Sequence, residues 1–274
     1  MTRKVIHQNS PQVMHHLLCI YSYALGAKLV PYEPTLKSNP QQLTVEQHFH
    51  TAHAISKFYN EAEKVQVKFI ATQEVVERHR RAKMFCTKRT WDERAEKGYM
   101  AAIEKEFHNQ IDNISDYSSR CHESISRYFL LWRLRFAYHA SPNQDVVLNG
   151  IAGSGLTKEQ EEIIEGKWGM FTRKNGVIPS RFSASLQIQI ELDRAWGAYS
   201  NLKWGLLEAS DGEFLVADGY DDLTFMPIAP NLAFAAGVGD QKISKEKVSE
   251  LNNCSLAKAT EYVFARDFSA CPIA

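Results

Sequence analysis

The order in which hydrophobic spacing changes along the chain is what most limits its fold. Over residues 64–69 apolar and polar residues alternate strictly, as in a half-buried strand. From Thr90 the spacing lengthens. Tyr99, Ile103, Phe107 and Ile111 fall on every fourth position of one helical face, behind a capping box of Thr90 and Glu93. A second helix reads over 115–138, with Cys121, Ile125, Phe129, Trp132 and Phe136 as its apolar stripe, and the two suit an antiparallel hairpin. After Ser141-Pro142-Asn143 and a glycine-containing loop, Thr157 and Gln160 form another capping box, opening a short helix through Ile163, Ile164 and Trp168. Residues 183–192 fit two periods: a strand on Leu186, Ile188, Ile190 and Leu192, or part of a long helix from Ser180.

The remainder turns to strands. Segments 204–208 and 214–217 flank Asp211-Gly212, a hairpin signal; 223–226 and 232–234 add two further strands. A helical tail is expected over 244–265. Helices gathered in the middle and hairpins at the end predict an α+β fold: an antiparallel sheet of hairpins, with a central helical hairpin and further helices packed on it. Residues 1–45 read as an N-terminal arm and a linker punctuated by Pro31, Pro34 and Pro40, and residues 46–274 as one domain.

Composition excludes some functions. Lys+Arg 32 balances Asp+Glu 32, so no global field draws the chain to nucleic acid or membrane, and any attraction must be local. The apolar run Leu17-Leu18-Cys19-Ile20-Tyr21-Ser22-Tyr23-Ala24-Leu25 falls well short of the ~20 residues of a membrane span, and it makes a poor signal peptide. Five scattered cysteines with no CxxC pair suit a reducing compartment. A cytoplasmic protein with no membrane partner is expected.

Local clusters carry what chemistry there is. Arg78, Arg80, Arg81, Lys83, Lys88 and Arg89 form the densest basic run, able to neutralise phosphates and release counterions. His48, His50 and His53 make an H-x-H-x-x-H cluster, in which two imidazoles at a time could share a face and a metal. Asp218, Asp221 and Asp222 follow a strand end, where carboxylates serve a turn or hold a divalent cation. The glycine run 150–156 lacks the Lys of a phosphate loop and reads as a loop feeding a capped helix.

Several segments, in order, resemble the bacterial domain of unknown function 4238 family over roughly residues 46–267. Gln47-His48-Phe49-His50-Thr51 through Ile55-Ser56-Lys57-Phe58 is similar to its opening pattern, with His50-Thr51 where the family has Val-Pro. Met84-Phe85-Cys86 to Trp91, then Ile103-Glu104-Lys105-Glu106-Phe107, resembles its aromatic segment and Ile-Glu helix, and Arg135 falls on its next helical arginine. Phe214-Leu215-Val216-Ala217-Asp218 looks like its Ser-Asp-Asn-Pro strand with Gly219-Tyr220 replacing Asn-Pro, and Phe225-Met226-Pro227-Ile228-Ala229-Pro230 looks like its Phe-Pro-Leu-Ser-Pro strand. The resemblance implies no established reaction; some family members occur among anti-phage defence genes.

These readings combine into an expectation: an anti-phage defence effector acting on RNA or DNA as a nuclease, with a phage component as activator. His48 is then a general base or metal ligand, Asp218 or Glu104 orients it or holds a divalent metal, and Arg135 stabilises phosphate charge. The alternative is a non-catalytic sensor or interaction module whose N-terminal arm packs on a partner or makes a homo-oligomer.

Overall fold

A computed structural model of the protein describes residues 32–221 and 223–273. The described residues open with β1 (Glu46–His48), α1 (Ala52–Ser56), β2 (Val65–Phe69), β3 (Val75–Arg78) and β4 (Cys86–Lys88). The central helices are α2 (Ala101–Asp112) and α3 (His122–Ala140), followed by β5 (Val146–Val147), α4 (Lys158–Gly166), β6 (Val177–Ile178) and α5 (Ser180–Tyr199). Next come β7 (Trp204–Ala209), β8 (Val216–Ala217), β9 (Phe225–Ala229), β10 (Leu232–Ala236) and β11 (Gln241–Ile243), then α6 (Lys245–Lys258) and β12 (Tyr262–Ala265). The fold is α+β. None of these helices is long and apolar enough to cross a membrane.

The strands form two four-stranded sheets, ordered β11-β7-β10-β9 and β3-β2-β12-β8, and two small pairs, β1-β4 and β5-β6. Pairing is antiparallel except between β11 and β7. The helical hairpin is present: Glu104 meets Arg135, Phe107 stacks on Tyr128 at 3.8 Å, and Gln110 accepts the Cys121 N–H, so α2 and α3 run in opposite directions. α3 has two apolar faces instead of one. Ile125, Phe129, Trp132 and Phe136 join the core shared with both large sheets. Leu131, Leu134 and Tyr138 face Ala184 and Ile188 of α5, which settles 183–192 as helix. Most of α3 is therefore inside.

Three expectations are corrected by long-range pairing. Asp211-Gly212 turns the chain, with Gly212 at φ +83°, but the flanking strands do not pair. β7 takes β10 and β11, whereas β8 crosses to the other sheet beside β12. Asn252 of α6 holds the crossing, accepting from Leu215 N–H and donating to the Glu213 carbonyl. The expected helical tail stops at Lys258. Residues 262–265 are apolar, wholly buried and central to a sheet, so they are a strand. The Thr90–Glu93 box is not formed: Asp92 caps the first turn, accepting the Ala95 N–H at 2.8 Å, and Glu93 binds the Thr44 N–H.

α4 brings a further reversal. Its Thr157–Gln160 capping box is complete. Yet the residues it buries are Glu161, Glu162 and Glu165, while the expected apolar contact Trp168 is half exposed. Those carboxylates meet Arg89, Arg173, Arg181 and Lys158. Glu165 takes Arg89 at 2.8 Å and Arg181 at 2.9 Å; Glu161 takes Arg173 at 2.6 Å. Glu33 closes the network against Lys158, Arg173 and Arg181. Burial opposes ionisation of Glu33, but Arg181 and its neighbours outweigh that and hold the carboxyl at about 2. With Leu36 N–H on Glu162 and Leu43 buried, residues 33–43 pack on the domain.

Stripping one partner from a sealed ion pair leaves a stranded charge, which typically costs about 3–5 kcal/mol, against ~1 kcal/mol or less for an exposed charge. Arg89→Ala is thus expected to lower urea-unfolding stability by that larger amount, and Arg78→Ala to leave it nearly unchanged. Equal effects of the two substitutions would contradict the division of this basic run.

Candidate functional site

The candidate site is built where β1 passes α2 and α3. Gln47 fixes β1 by a pair of hydrogen bonds to the Trp91 backbone, donating to its carbonyl at 2.8 Å and accepting its N–H at 3.2 Å. The next residue, His48, is half-buried, and its Nε2 lies 3.0 Å from the Arg80 carbonyl oxygen. A carbonyl only accepts, so Nε2 carries the proton and the neutral ring keeps its lone pair on Nδ1. Burial holds this imidazole below its ordinary range, against the Arg80 carbonyl and the Glu104 carboxylate, which favour the proton.

Arg135 lies beneath, in the middle of α3 and 1% exposed. Its guanidinium pairs with Glu104, stands 3.8 Å from Glu96, and lies over the Trp91 ring at 5.3 Å. Burial works against its charge, and the two carboxylates more than offset that. Glu96 belongs to the turn Ala95–Met100, wound as a π-helix, and accepts from Trp91 Nε1. Burial raises the Glu96 carboxyl despite Arg135. Glu104 and Arg135 are in direct contact, and His48 is within electrostatic reach of both without touching either. Glu96 and Glu104 form the rim, at 20% and 22% side-chain exposure.

Asp218 is not part of this group. Its buried carboxylate accepts three backbone N–H groups, from Thr260 at 2.9 Å, Glu261 at 2.6 Å and Tyr262 at 3.1 Å, and so anchors the start of β12. Burial raises its pKa even so. Arg135 also differs from expectation: sealed and doubly paired, it positions Glu104 and does not reach a phosphate.

The three clustered histidines diverge. His50 is wholly buried, stacked on Trp132 at 4.0 Å, with its Nδ1 2.8 Å from the Tyr128 hydroxyl. His53 pairs with Asp112 at 2.8 Å, and His108 lies beside it. Among the described residues no three His, Cys, Asp or Glu side chains are gathered to hold a metal ion. Asp222 lies outside the described residues.

The basic run divides. Arg78, Arg81 and Lys83 are exposed and make no ion pair among the described residues. Arg80 is half-buried, its guanidinium 5.9 Å from the Tyr59 ring, which also lies against His79. Lys88 is exposed and covers the Tyr32 ring. Arg89 points inward to Glu165 and is unavailable to any phosphate. Sequence reasoning missed Glu96 and Tyr59, neither of which carries a motif. The His48–Arg80 bond ties the imidazole to the backbone of the segment that carries the exposed cations.

No family model, curated protein or solved structure matches this chain.

The histidines give the fold a pH dependence. His50 is depressed by burial to about 3, and His48, His108, His122 and His139 are also lowered by burial. The unfolded chain takes up protons below pH ~6.5 while the folded rings do not, so stability falls as pH drops from there, and for His50 levels off near 3. His50 alone accounts for about 2 kcal/mol between pH 7 and 5. Urea unfolding at both pH values should show a loss in the wild type that is smaller by about this amount in His50→Asn. An identical pH dependence in the two proteins would contradict the assignment.

Proposed function

We propose that this protein binds nucleic acid along the exposed cations Arg78, Arg81 and Lys83 with the half-buried Arg80 between them, and cleaves it with His48, in the cytoplasm, as an anti-phage defence effector activated by a phage component. The observation that carries the reading is the His48–Arg80 hydrogen bond, which fastens the imidazole to the backbone of the basic segment 78–83. Exposed cations interleaved with Tyr59 and His79 suit a single strand, whose backbone tracks positive charge while bases stack on rings. His48 Nδ1 takes the proton of a water attacking the phosphodiester, and the leaving oxygen recovers a proton from solvent. Glu104, held by Arg135, stabilises the imidazolium that forms. The donor set gathers no metal cluster among the described residues, and no step is assigned to a metal. The defence setting is supported only by the sequence resemblance.

A second reading, a non-catalytic sensor, is favoured by the sealing of Arg135 and by the complete use of the Asp218 carboxylate in backbone bonds. The two readings part in one experiment with labelled RNA and DNA. Reversing Arg78, Arg81 and Lys83 to Glu should weaken binding to all sequences alike and reduce the slope of log K against log salt by about 0.7–0.9 per lost contact, with the unfolding midpoint unchanged. His48→Ala should abolish cleavage and leave affinity intact. Unchanged affinity and slope after charge reversal would remove the binding reading. Binding without cleavage by the wild type would select the sensor.

A further inference from the structure

The β5–β6 pair and the loop after β5 leave an apolar surface uncovered. Val147 is 58% exposed and Ile151 49%, with Val146 and Leu148 beside them. β5 pairs with β6 on one edge only, and its other edge is open among the described residues. A two-stranded ladder is marginally stable at best, and an open apolar edge is a template for another strand.

We infer that this surface is the docking site of the chain's own N-terminal segment 17–25, taken from the same molecule. Two observations carry the inference. The first is where the arm meets the body. Glu33 is clamped by Lys158, Arg173 and Arg181; Arg173 bridges to Val177, and Val177 pairs with Val147. Neighbouring strands lie about 4.8 Å apart, so two ladder spacings, roughly 10 Å, separate the Arg173 anchor from β5. Residues 26–32 span up to roughly 23 Å when extended, more than enough to deliver the segment in cis.

The second observation is chemical match. Leu17-Leu18-Cys19-Ile20-Tyr21-Ser22-Tyr23-Ala24-Leu25 carries no charge, and neither does Val146-Val147-Leu148-Asn149-Gly150-Ile151. Pairing along β5 would satisfy its open edge and remove both apolar surfaces from water together. The inference does not depend on the nucleic-acid reading.

Hydrogen exchange on the full chain tests it. In a Leu18→Asp/Ile20→Asp variant, amides of 146–151 should exchange at least tenfold faster than in the wild type, with those of β7 and β10 unchanged. Unchanged exchange at 146–151 would overturn the inference. If protection in β7 and β10 is lost as well, the variant has unfolded and a cross-link decides. Mild oxidation of full-length Val147→Cys should join Cys19 to the introduced thiol within one chain, and the Cys19→Ser control should lose that product. A product linking two chains, or no Cys19 cross-link, overturns docking in cis.

Discussion

A guanidinium in the middle of a helix buried on both faces must take its counter-charge inside with it. Arg135 imposes that condition on this fold. α3 is packed between the sheets on one side and α5 on the other, so no rotation of the helix could return Arg135 to water. The antiparallel pairing of α2 supplies Glu104, and the π-wound turn before α2 supplies Glu96. Two carboxylates for one cation leave an excess acidic charge, which is tolerable only because both acids reach the rim. His48 on β1 lies within electrostatic reach of Glu104 at this rim. The site is thus the open end of an electrostatic arrangement that the buried helix requires.

A second enclosed charge cluster does comparable work at α4. Three glutamates on its buried face are balanced by Arg89, Arg181, Arg173 and Lys158, with Glu33 drawn in from the entry segment. Such clusters contribute little net stability compared with apolar packing of the same volume, but they are intolerant of losing a member. Their effect here is organisational. The cluster fixes where residues 33–43 cross the domain, and it withdraws Arg89 from a basic run in which Arg78, Arg81, Lys83 and Lys88 are exposed.

Local pattern was a good guide wherever one element decides its own form. Alternation over 64–69 marks β2, the Thr157–Gln160 box marks the start of α4, and fourfold spacing marks α2 and α3. It failed where a distant partner decides. Asp211-Gly212 turns as expected, but β10 outcompetes β8 for the edge of β7. Residues 262–265 become a strand because β2 and β8 are there to receive them. The acidic face of α4 is buried because Arg89, Arg173 and Arg181 from other segments join its own Lys158 there. The same limit governs the site. Glu104 and Arg135 were singled out by the family resemblance, and the antiparallel helices on which they lie bring them together. Asp218 was misplaced because its three N–H donors lie more than forty residues downstream.

The central claim is that the His48 imidazole and the exposed cations above it form one site. NMR observation of the His48 ring during titration with a nuclease-resistant single-stranded oligonucleotide tests it most directly. A bound phosphate near the ring favours its charged form, so the account predicts a shift of the His48 resonances and a rise in its pKa. His122, buried in the joint with Trp204, should not move. An oligonucleotide that binds while the His48 resonances and pKa stay unchanged would contradict the account.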